Sequence, residues 1–144
     1  MNLTEHFTLE ELTATSHRQF DNTPNDAETA NLVKLAEFLE EVKAALAGKP
    51  VMINSAFRSK QVNDSVGSKD TSQHRTGCAA DFKVPGMSPD TVVRAIIAAG
   101  LPYDQLIREF SDPVNGGGWT HVSISDKPRR QALIIDKQGT RPFA

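Results

Sequence analysis

The stretch Ser72-Gln73-His74-Arg75-Thr76-Gly77-Cys78-Ala79-Ala80-Asp81-Phe82-Lys83 decides the fold. Gly77 permits a sharp turn, and the residues after it read as a strand over 79–83. Alternate side chains of a strand take opposite faces, so Asp81 shares one face with Ala79 while Ala80 and Phe82 take the other. The carboxylate then projects away from the apolar side. The turn brings His74 back beside Asp81, and the small Ala79 leaves room between them for an ion.

Outward from this strand, Ser88-Pro89 starts a helix through Val92, Ile96 and Ala99 that Gly100 stops. Three further strands are expected at Tyr103 to Phe110, Trp119 to Ser125 and Gln131 to Ile135. The loop from Asp112 to Gly118 joins the first two as a hairpin. On the N-terminal side, the polar residues from Ser55 to His74 form a long functional loop. Before it, Val51, Met52 and Ile53 suit a short strand. Leu32, Leu35, Ala36, Leu39, Val42, Ala45 and Leu46 recur at helical spacing in a main helix that ends at Gly48. The turn formers Asn22 to Asn25 separate it from a short helix near Leu9, where Thr8 and Glu11 form a capping box. The expected fold is a single α+β domain over residues 1–144, a small and mostly antiparallel sheet with helices packed on one side.

Composition narrows the function. A chain of 144 residues is long enough for one domain with its own core. With 38% hydrophobic and 24% charged residues it contains no long uncharged apolar run, so no membrane partner is expected. The opening MNLTEHFTLEELT lacks the basic-then-apolar order of a secretory signal, so synthesis in the cytoplasm without an export signal is expected. Cys78 is the single cysteine, which excludes an internal disulfide and a zinc site of several thiolates. It reads as a buried apolar residue. A formal net charge of −2 gives no electrostatic case for nucleic acid, and Lys127, Arg129 and Arg130 read as a solvated loop. His6 and His17 read as surface or capping residues.

A third metal-ligand candidate lies in Trp119-Thr120-His121-Val122-Ser123-Ile124. Val122 and Ile124 alternate toward the core, so His121 and Ser123 point to the polar face. Two imidazoles and one carboxylate, from His74, His121 and Asp81, suit one zinc ion per chain. Three protein ligands leave a fourth position open, as in catalytic rather than structural zinc. Arg58 follows a strand end, where its guanidinium either grips a substrate carboxylate or pairs with Asp64 or Asp70. Trp119 is either a cleft wall or a buried aromatic.

The pattern Ser-x-His-x-x-Gly-x-Ala-x-Asp runs ungapped from Ser72 to Asp81. Together with His6-Phe7-Thr8, Asn22-Thr23-Pro24, Ile53-Asn54-Ser55-Ala56-Phe57-Arg58-Ser59 and Trp119-Thr120-His121-Val122-Ser123, it resembles the M15 zinc peptidases, the D-alanyl-D-alanine carboxypeptidase and phage endolysin group. The resemblance implies that His74, Asp81 and His121 bind zinc and that a glutamate upstream of the last histidine is the catalytic base. Glu109 is the expected base, with Asp112 the alternative because the hairpin register is open. The resemblance also implies that Arg58 binds substrate and that Ser55, Ser72 and Gln73 line the same cleft. The implied substrate is a peptide of bacterial peptidoglycan, cut by an endolysin-like endopeptidase. A D-alanyl-D-alanine carboxypeptidase and a non-catalytic wall-binding module are the alternatives. A monomer that reaches the cell wall after release or delivery is expected. One departure is Asn63-Asp64-Ser65-Val66-Gly67-Ser68-Lys69, where the family has a glycine-rich pair after Asn-x-x-Val-Gly. It puts substrate preference in question more than the ligands.

Overall fold

Helices begin where side chains satisfy backbone N–H groups that lack an intrahelical partner. At helix α1 (Leu9–Thr13) the Glu11 N–H donates to Thr8 Oγ1 at 3.1 Å and the Thr8 N–H to Glu11 Oε1 at 3.3 Å. Asn25 and Glu28 repeat the reciprocal cap at α2 (Asp26–Ala45), whose Leu32, Leu35, Ala36, Phe38, Leu39 and Val42 are buried. These positions come from a computed structural model that describes residues 1–112, 114 and 116–143. Strand β1 is Met52–Ser55. The long loop expected from Ser55 to His74 is corrected: it contains α3 (Lys60–Ser65), capped by Ser59, and a 3₁₀ turn over Gln73–Thr76. Both are too short for hydrophobic periodicity to reveal. Strand β2 (Ala79–Lys83) and helix α4 (Pro89–Ala98) follow, the latter capped by Ser88. Then come β3 (Gln105–Asp112), β4 (Gly117–Ser123), β5 (Gln131–Asp136) and the unanticipated β6 (Gly139–Pro142). Asp112 therefore ends a strand, and Pro113 and Asn115 of the expected hairpin loop lie outside the described residues.

The six strands form one sheet in the order β1-β2-β4-β3-β5-β6. The expectation of a mostly antiparallel sheet is corrected, because the sheet is mixed: β5 pairs parallel with β3, Ile107 standing opposite Leu133. The reason is the short connection after β4. Since β4 runs antiparallel to β3, it ends where β3 begins, and a strand started there on the free edge of β3 runs in its direction. The Gln131 N–H, bonded to the Asp104 carbonyl at 2.9 Å, marks that start. The α+β class itself accommodates this sheet.

Alternation along the strands separates two faces. Ala80, Phe82, Leu106 and Val122 join Leu32, Leu35, Leu39, Val92, Val93 and Ile96 of α2 and α4 in one apolar cluster. The opposite face carries Asp81, Ile107, Glu109 and His121, where Asp81 pairs with His121 and His121 with Ile107 across the ladders. No helix among the described residues is long and apolar enough to cross a membrane.

Candidate metal centre

His74 reaches the sheet because the chain reverses at Gly77. Gly77 takes φ +82°, and a Cβ there would lie 2.9 Å from the Glu28 carbonyl oxygen of α2. Glycine is the residue that meets both demands. Ser72 caps the 3₁₀ turn by accepting from the His74 N–H at 3.3 Å. His74 Nδ1 lies 2.7 Å from the Ala56 carbonyl oxygen, to which it donates, and this turns Nε2 toward Asp81 Oδ2 at 3.4 Å. His121 Nδ1 is 2.8 Å from Asp81 Oδ1. The two imidazole centroids stand 5.2 Å apart.

The donor atoms of His74, Asp81 and His121 lie within 4.8 Å of one another. Their side chains are 5%, 13% and 13% exposed. Burial by itself raises the Asp81 carboxyl, but hydrogen bonds from His121 and His74 reverse this and hold it well below the usual carboxylate range. A carboxylate kept ionised between two imidazoles, one of them oriented by a backbone carbonyl, is a donor set that fits zinc.

These groups share a cleft of about 450 Å³ whose lining includes Arg58, Ser72, Gln73, Glu109, Trp119 and Arg129. Ser55, expected in the lining, instead sits behind Arg58 and accepts from its Nε at 3.1 Å. Of the two readings of Arg58, pairing with Asp64 or Asp70 is excluded by geometry. Lys60 takes both of those carboxylates, whereas Arg58 Nη2 stands 3.5 Å from Asp81 Oδ2. Glu109 lines the cleft and accepts from Trp119 Nε1 at 3.0 Å. Asp112 lines a separate groove between the hairpin and the segment before α4. The register behind this separation is irregular between Glu109 and Asp112.

Three features escaped the sequence reading. Arg129, taken for part of a solvated loop, bonds Asp104 through Nε at 2.9 Å and Nη2 at 2.8 Å. Gln73 Nε2 donates to the same carboxylate at 2.9 Å. His6, at the surface as expected, also pairs with the Glu40 carboxylate at 2.7 Å. Each pair joins residues far apart in the chain, and no local signal marks them. Cys78, expected to be buried, is half-buried.

A family model described as Peptidase M15 matches residues 5–122, a span that includes all three histidine and aspartate donors and Glu109. No curated protein matches the chain.

Proposed function

The chain belongs to the peptidase M15 family, and from that premise we propose that it is a zinc-dependent peptidase acting on the peptides of bacterial peptidoglycan. The observation that carries this reading is the convergence of His74, Asp81 and His121 within 4.8 Å in a cleft shared with Glu109. A zinc ion held by these three side chains supplies Lewis acidity, lowering the pKa of water toward about 7 and polarising a carbonyl. Glu109 accepts a proton from the attacking water and returns it to the departing amine as the C–N bond breaks. Trp119 orients the carboxylate through Nε1–H. Arg58, steadied by Ser55, offers its remaining N–H groups to a substrate carboxylate. Ser72 and Gln73 act by holding the turn that carries His74. The cleft draws its lining from strands β2, β4 and β3, and the cut we propose is an internal one, that of an endopeptidase.

The test is amine release from purified peptidoglycan by zinc-loaded protein, with chelated protein as control. New amines that correspond to internal cuts are expected. Release of terminal D-alanine alone means a carboxypeptidase, and zinc binding without any release means a wall-binding module. The metal site is tested separately by His74→Ala, Asp81→Ala and His121→Ala, each expected to lose zinc on dialysis. Full zinc content by elemental analysis in all three variants would remove the site.

A further inference from the structure

Asp104 is a buried carboxylate that the proposed hydrolysis does not use. It is 2% exposed, just before β3, and accepts from the Arg129 backbone N–H at 2.8 Å as well as from its side chain and from Gln73. An ion pair whose cation is exposed contributes little net stability, so the fold alone does not call for one here. Its effect is geometric. Asp104 engages only the Nε and Nη2 edge of the guanidinium. The outer edge, with both Nη1 hydrogens and the second hydrogen of Nη2, has no partner among the described residues. The Arg129 side chain is 55% exposed and lines the cleft that holds the metal ligands.

The strand register gives the distance. The Asp104 N–H donates to the Ser123 carbonyl at 2.8 Å, so the residue that holds Arg129 sits at a level of the sheet two residues from that of His121. At a rise of roughly 3.3 Å per residue the separation is about 7 Å, or about two residues of an extended peptide. Glu109 and Trp119 stand two residues from His121 in the other direction. One end of the cleft therefore carries the base, and the other a fixed guanidinium.

We infer that Arg129 forms a carboxylate subsite, its outer edge receiving a free carboxylate that the substrate carries within about two residues of the bond cut at His121. The inference rests on the peptidase reading of the same cleft. A planar fork already held on one edge binds a second carboxylate with two parallel hydrogen bonds and little further ordering. Arg58 serves a different position along the peptide, because it stands against Asp81 at the metal level. Both an internal carboxylate of the peptide and its C-terminal carboxylate have the required chemistry.

The experiment uses zinc-loaded protein carrying Glu109→Gln, so that binding is read by calorimetry without turnover. Three synthetic stem peptides are compared: one with all carboxylates free, one amidated at the internal carboxylate, and one amidated at the C-terminus. Amidation at one of the two positions is expected to weaken binding roughly tenfold, the size of a partly solvated charge-assisted hydrogen bond, and the position affected identifies the source. Arg129→Gln is expected to abolish that difference while zinc content is retained. Because this change leaves Asp104 without its cation, Asp104→Asn with Arg129→Gln provides a neutral pair that keeps the fold. Equal binding of all three peptides, or discrimination that survives in both Arg129 variants, overturns the subsite. Discrimination by a protein whose wild-type form cuts nothing overturns only the hydrolysis reading.

Discussion

At Glu109 opposing influences meet. Burial and then the charge of Asp81 raise its carboxyl above the ordinary range, while His121, the Trp119 N–H and Arg58 pull it down, and the upward influences prevail. The carboxylate needed as base therefore forms at a higher pH than in a free glutamate, whose pKa is about 4.3. In the metal-free protein its titration, followed by NMR, is expected above that value, and Trp119→Phe, which removes a bond to the charged form, to move it further up. A titration that stays or falls in the variant contradicts this. The linkage has the matching sign: a group that holds its proton more tightly when folded loses stability as pH rises from about 4.3 through its folded value. Glu109→Gln should thus retain zinc and neutral-pH stability while the rate falls by roughly two to four orders of magnitude. The candidate ligands were legible at this scale because His74 and Asp81 lie in one short stretch. The Trp119–Glu109 bond was not, since it spans two strands.

The β3–β4 hairpin owes its shape to a bulge. Phe110 takes φ +50° and Gly118 φ +90°, and a Cβ on Gly118 would meet the carbonyl oxygens of Glu109 and Phe110 at 2.6 Å. The bulge turns Phe110 to stack on Trp119, with centroids 5.5 Å apart. It also separates Glu109 from Asp112. Gly118→Ala is expected to destabilise the fold by about 1–3 kcal/mol and to depress activity through Glu109 while zinc stays bound. Gly77→Ala should act in the opposite order. Its Cβ at 2.9 Å from the Glu28 carbonyl oxygen lifts the turn that carries His74, so zinc content falls first. Denaturation curves with elemental analysis on both variants check the pair, and a common pattern in the two would refute the assignment. The glycines at 116–118 read in sequence only as a loop, because a bulge is defined by the partner strand opposite.

Over the whole molecule, the three ligands tie the 3₁₀ turn and β2, neighbours in sequence, to β4, whose His121 lies 40 residues after Asp81. An ion bound only by the folded state stabilises it by about 2.7 kcal/mol at one hundred times Kd. Chelation should therefore lower Tm by roughly 10 °C in a chain of this size. An unchanged Tm after verified metal removal would mean that the ion is not linked to the fold. The sequence alone determined what depends on near neighbours. Thr8 with Glu11 and Ser88 with Pro89 start helices, the period of Leu32 to Leu46 makes an amphipathic helix, and Ala79 to Lys83 puts Asp81 opposite Phe82. Those outcomes follow from rotation per residue and local hydrogen bonding. Tertiary structure decided which carboxylate of the hairpin faces the cleft, that β5 runs parallel to β3, and that Arg129 clamps Asp104. A strand's residues specify its two faces, but its neighbour and direction follow from where distant segments return, which only the packed chain settles.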